Sequence, residues 1–112
     1  MLRILDRYDR WKGLADMIYV NVVLTVKNDG DVSLVQDLLT EHARLSKEEP
    51  GCARFEVYHS TNDQRVFILN EHWENQGALD IHRTALGYTS IYQPQVVPLV
   101  DRTPHPSELI AG

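Results

Sequence analysis

Apolar residues alternate with the rest from the eighteenth position onward. Ile18, Val20, Val22, Leu24 and Val26 point one way, and Tyr19, Asn21, Val23 and Thr25 the other. A period of two is a strand, and its second face is apolar enough to call for cover as well. KNDGD then reads as a turn, with Asp31 or Ser33 placed to cap the next element. Val32, Val35, Leu38, Leu39, His42 and Leu45 recur every three or four residues, while Asp37, Glu41, Arg44 and Lys47 fall off that stripe. This spacing predicts a helix packed along one side. Pro50 and Gly51, within EEPGC, end it.

The period returns to two from Cys52 to His59, setting Phe55, Val57 and His59 against Arg54, Glu56 and Tyr58. STNDQ reads as a hairpin loop, and Arg65 to Trp73 as a third strand. Around Asn75 the spacing turns helical, with Ala78, Leu79, His82 and Leu86 on one stripe. ALGYTSIYQP predicts an irregular or short helical passage closed by Pro94. Gln95 to Val100 predicts the last strand, Pro98 marking an edge or a bulge. The tail from about Asp101 is expected to wrap the surface or a neighbour.

The order strand, helix, strand, strand, helix, strand is the α+β, ferredoxin-like βαββαβ plan: an antiparallel sheet with both helices on one face. The other face would stand open and apolar, so a homodimer joined sheet to sheet is expected. Residues 17–112 form a single domain in this reading. Residues 1–16 read two ways. Ile4, Tyr8, Trp11 and Ala15 have helical spacing, yet Met17 could equally open the chain proper.

Composition narrows the field. A net charge of -5 leaves no basic stripe for phosphates, which argues against nucleic acid. No apolar run approaches the ~18 residues of a membrane span, and the charge-broken N-terminus does not read as a secretory signal. Cys52 is the single cysteine, which excludes an internal disulfide and fits a reducing cytoplasm.

Glu49-Pro50-Gly51-Cys52 at the helix stop, Glu71 with Trp73 ending the third strand, and His82 with Thr84 on the second helix together carry a resemblance. Over about Met17 to Val100 the chain resembles the antibiotic biosynthesis monooxygenase (ABM) domain, a dimeric α/β-barrel family. Relatives often carry Pro-His after that Thr; this chain has Leu86-Gly87, so a helper role for a second His does not carry over. The same family includes an isomerase of a phosphorylated dione, whose segments are similar to ARFEV and HRTALGY.

Among the residues themselves, Glu71, His72, Asp80 and His82 suggest a metal, but alternation sends Glu71 and His72 to opposite sheet faces. No metal is expected. No Gly-rich phosphate loop, nucleophile elbow or dinucleotide fingerprint occurs either, so no cofactor is expected. Cys52 reads as a small hydrophobe. What remains as candidate catalytic residues is His82, Glu71 and Trp73. An imidazole against a strand bearing a carboxylate and an indole could move a proton near neutral pH, or simply seal a helix–sheet joint. Trp73 could stack a flat ligand or sit in the core. Asn21, Tyr58, Asn70, Tyr88 and Tyr92, with Tyr19, are candidate substrate-binding residues. Their partners could be a substrate carbonyl, solvent or a dimer neighbour.

The resemblance implies a cofactor-independent monooxygenase acting on a small aromatic or polycyclic phenol or quinol. A cofactorless isomerase of a phosphorylated dicarbonyl is the alternative, with Arg54, Arg83 and Arg102 as available cations. A non-catalytic ligand-binding dimer is the third reading.

Overall fold

The computed structural model describes residues 16–112. The two readings of the N-terminal extension fall, but for Asp16, outside the described residues. Strand β1 (Ile18–Val26) leads through a single 3-10 turn into helix α1 (Val32–Lys47). Strands β2 (Cys52–His59) and β3 (Val66–Trp73) come next, then helix α2 (Gln76–His82), a π-helix (Gly87–Val96), a second 3-10 turn and strand β4 (Val100–Ser107). The sheet runs β2-β3-β1-β4, every neighbouring pair antiparallel, with the helices on one face. This is the ferredoxin-like plan.

Alternation sets the core. Val20, Val22, Leu24 and Val26 of β1 are buried with Phe67, Leu69 and Trp73 of β3 and Phe55 of β2, against Val35 and Leu39 of α1. Each such side chain contributes about 1.5–3 kcal/mol on burial. Tyr19, Asn21, Val23 and Thr25 point to the other face and are half-buried in the single chain. His59 extends the core face to the sheet's end, where it is exposed and stacks flat on Phe67 at 4.3 Å.

The junctions are set by local chemistry. Asn75 caps α2, its Oδ1 accepting from the Ala78 amide at 2.8 Å. Asp31 occupies the cap position of α1, but its side chain makes no capping hydrogen bond. Ser60 Oγ accepts from the Asn62 and Asp63 amides and so closes the β2–β3 hairpin. Gly51 has φ +79°, and any Cβ there would overlap Ala78, so the turn after α1 needs glycine twice over.

The C-terminal third departs from the sequence reading. The passage expected to close at Pro94 is a π-helix that runs through Pro94 to Val96, which places Gln95 in the helix. Pro98 opens a 3-10 turn and not a strand irregularity. The last strand therefore lies at Val100–Ser107, built from residues read as a tail. Pro104 and Pro106 pair opposite Val22 and Val20. The Lys27 amide bonds toward the β4 side and the Val26 amide toward β3, so the even-numbered β1 positions leave their β4 partners unbonded. Both missing proline N–H groups thus face the free edge, where they cost nothing. Leu86, expected on the buried stripe of the second helix, lies beyond α2 and is exposed.

Candidate functional site

The inner end of the core is not apolar. Glu71 sits on β3 one position before the strand's open-face His72, and alternation turns its carboxyl under the helices; it is 7% exposed. Trp73, two positions on, shares that face, is fully buried, and donates its indole N–H to Glu71 Oε1 at 3.1 Å. The last residue of α2, His82, points down at both and is 2% exposed. Its ring lies 4.4 Å from the indole, and its Nε2 is 4.0 Å from Glu71 Oε1. The other ring nitrogen, Nδ1, is 2.7 Å from Glu49 Oε1. The imidazole therefore spans two carboxyls.

Glu49 comes from the EPGC stop. That motif reads as a helix terminator, and it does end α1, but its Glu also reaches 33 positions along the chain to His82. His42 is the other group sequence reasoning passed over. It stands on the α1 stripe as if apolar, stacks on Tyr92 at 4.8 Å, and lies 5.5 Å from His82. Its buried Nδ1 has no hydrogen-bond partner, and Gly87 approaches so closely that a Cβ would lie 3.0 Å from it. A polar residue at a core position was the available signal.

Of the candidate binding residues, the structure brings Tyr88 and Tyr92 to this cluster. The wide turn of the π-helix keeps them on one face, their rings 5.4 Å apart, with Tyr88 5.4 Å from His82. Such helices recur at functional sites. Asn21, Asn70 and Tyr58 lie on the other side of the sheet. There Asn70 Nδ2 donates to Asn21 Oδ1 at 2.7 Å, Asn21 Nδ2 donates to Ser107 Oγ at 3.0 Å, and Tyr58 donates to Glu56 at 2.6 Å. His72 and Tyr19 meet edge to face on the same side. The sheet separates these residues from Glu71 and His82.

Burial sets the protonation states. It pushes Glu71 up to about 7 against the opposing pull of the Trp73 N–H, Arg102 and Arg83. Burial, then the nearby Glu71 charge, likewise raises Glu49 to about 7. His82 is driven down to about 3 by burial, His42 and Arg83. The Glu49–His82 contact thus has ion-pair distance but not ion-pair charge: near pH 7 the imidazole is neutral, and the carboxyls, not the ring, are the groups that titrate there. Burial also lifts the Cys52 thiol to about 11, which leaves it unreactive.

Among the described residues no group of three or more His, Cys, Asp or Glu has the geometry to hold a metal. The two carboxyls approach opposite nitrogens of His82 and share no common point. Likewise, no described helix is long and apolar enough to cross a membrane. Glu71, His82, His42, Tyr88 and Tyr92 enclose a cavity of about 20 Å³, roughly the room one water needs. A groove of about 560 Å³ adjoins it, sharing Val20, Leu79, Arg83 and Arg102.

The fold and cluster define a ferredoxin-like α+β domain with a buried group of carboxyl, imidazole and aromatic side chains between its sheet and helices. The profile of the family Antibiotic biosynthesis monooxygenase matches residues 17–92, and the chain belongs to that family. It is 32% identical over 75 residues to YjcS, an uncharacterized protein of Bacillus subtilis, a match spanning 64% of this chain and 69% of that one. A conserved protein of Bacteroides thetaiotaomicron, described as a possible oxidoreductase, is similar with a TM-score of 0.78 at 23% identity, over 84% of this chain and 98% of that one. SnoaB, a cofactor-independent oxygenase from Streptomyces nogalater, has a TM-score of 0.75 at 11% identity, covering 87% and 96%. At these identities the solved structures share the fold.

Proposed function

We propose that the chain is a cofactor-independent monooxygenase of a small aromatic or polycyclic phenol or quinol, with Glu71 as the proton acceptor. The observation that carries this is the buried chain Glu71–His82–Glu49, lying beside a cavity and inside a family of this name. A base works best when its pKa lies near the working pH, and Glu71 at about 7 meets that condition better than His82 at about 3. His82 is a positioning residue: Glu49 holds its Nδ1 at 2.7 Å, which sets its Nε2 toward Glu71 Oε1 at 4.0 Å. Trp73 is a positioning residue that fixes the Glu71 rotamer through its N–H.

In this reading the substrate itself supplies the electrons. Glu71 takes a proton from the ring CH2 of the substrate's keto tautomer, or from the phenol O–H that is its equivalent. The delocalised carbanion that results reduces O₂ and forms a C–O bond as a peroxide. Return of the proton yields the hydroperoxide, and loss of water leaves a carbonyl. The net change is CH2 plus O₂ to C=O plus H₂O. The protein contributes orientation and proton transfer.

The open sheet face supports a homodimer. Ile68 and Tyr58 are exposed there beside Val23 and Tyr19, and a second copy would cover them. Asn21, Asn70 and Tyr58 would then serve the interface. Sedimentation at micromolar concentration is expected to show a particle of twice the 12.9 kDa chain. The lone thiol and the absence of a spanning helix among the described residues support a cytoplasmic location.

Oxygen uptake with a panel of anthrones and quinols, with no flavin, nicotinamide or metal added, tests the proposal. The expected result is one O₂ consumed per carbonyl formed. Proton exchange beside a carbonyl without oxygen uptake would support the isomerase instead, and retained ligand without either activity would support a binding dimer.

A further inference from the structure

Five arginines lie among the described residues, and three of them face carboxylates. Arg44 pairs with Glu41, Arg54 with Glu56 at 4.0 Å on the open sheet face, and Arg65 with Asp29 at 3.6 Å. Arg83 and Arg102 make no ion pair among the described residues, in a chain whose net charge is -5. Those two line the same groove, and both also line the small cavity that holds Glu71 and His82. We infer that this groove selects substrates carrying an oxyanion, a carboxylate or phosphate on a flat apolar ring, and that Arg83 and Arg102 hold the anion. The inference rests on the oxygenase reading only for what happens to the ring, not for how it binds.

The groove has the composition such a ligand needs. Val20 and Leu79 come from the core side, and Pro104 and Pro106 present rigid apolar surface from the core face of β4. Its volume of about 560 Å³ lies within the range of small-molecule sites. Arg102 is held ready: its Nε donates to the Tyr92 hydroxyl at 2.8 Å, which leaves the two terminal nitrogens for a bidentate contact. Arg83 is the residue after α2, where a cation also complements the helix C-terminus. That local role accounts for one guanidinium at the site but not for a second arriving from β4. Glu108 borders the groove too and pairs with neither arginine. An anion held by both would place its attached ring against the cavity wall, next to Glu71.

Calorimetry with hydroxynaphthoate, naphthyl phosphate and naphthol separates the cases, because all three carry the same ring. Either acid is expected to bind at least roughly tenfold more tightly than naphthol, a preference that shrinks as salt rises. Whichever acid binds better identifies the oxyanion. Arg83→Gln breaks no hydrogen bond among the described residues, so it tests the site without unfolding the domain; Arg102→Gln is the companion. Each is expected to lose most of the preference for the acid while leaving naphthol binding unchanged. Equal binding of acid and naphthol, or an undiminished preference in the double variant, would overturn the inference. Oxygen uptake reports separately. Arginine-dependent acid binding with no oxygen consumed by any compound sinks the oxygenase reading and leaves this one standing. Turnover of neutral quinols without preference for acids does the reverse.

Discussion

Glu71, Trp73 and His82 were legible as a set because each sits on a face that the sequence period determines. Two residues apart on a strand means one face, and a histidine on a helix's apolar stripe must look at the sheet. Their roles were not legible, because those depend on how deeply each is buried. Glu49 was visible only as part of a helix stop: its partner lies in another element, and nothing local marks a helix-stop glutamate as facing the core. The protonation of Glu71 is open to direct measurement. Carbon-detected NMR of its carboxyl is expected to titrate near pH 7 and not near the ordinary 4.5. Trp73→Phe deletes the one hydrogen bond that favours the ionised form, so it should raise that midpoint further. A midpoint near the ordinary value in the wild type would show that the carboxyl is solvated.

At the scale of elements, the first four strands and helices are set by period and punctuation, and the C-terminal third is not. β4 is exposed along most of its length, so no alternation of apolar and polar residues marks it, and its two prolines argue against a strand unless the free edge is known. The π-helix likewise has no period that sequence reading tests for. The turn after α1 was clear, and its demand is strict. Gly51→Ala meets both a positive φ and the Ala78 side chain, and is expected to cost more than about 1 kcal/mol. A denaturant midpoint matching the wild type would mean that the helix end can shift away from Ala78. Because Gly51 C=O also accepts from the Glu74 amide at 2.8 Å, such a shift would disturb the β3–α2 junction that carries the site.

The whole molecule should register the buried cluster in its stability against pH. Glu49 and Glu71 have folded values near 7 against 4.5 when free, so they favour the fold fully below 4.5 and lose that contribution as pH rises through 7. His42 and His82 have folded values of about 4 and about 3 against 6.5 when free. They favour the fold while neutral, and that contribution is lost as pH falls below 6.5. Between 4.5 and 6.5 the two trends oppose each other with two groups apiece. Urea midpoints are therefore expected to be nearly level across that window and to fall on both sides. Stability still climbing steadily from pH 6.5 to 8 would show that the carboxyls are not buried as described.

The pH dependence of oxygen uptake, measured for the wild type and for Glu71→Gln on a quinol or anthrone found to be turned over, tests the central claim most directly. The wild-type rate should rise through an apparent pKa near 7, as the carboxyl that accepts the proton ionises. Glu71→Gln, which keeps the shape and an acceptor for the indole N–H, should be slower by roughly 10²–10⁴-fold and lose that inflection. His82→Ala should leave the inflection in place and lower the rate by a smaller factor, since it loosens Glu71 without removing the base. A Glu71→Gln variant that folds, assembles as the wild type does and consumes oxygen at the wild-type rate with the same pH profile would contradict the account.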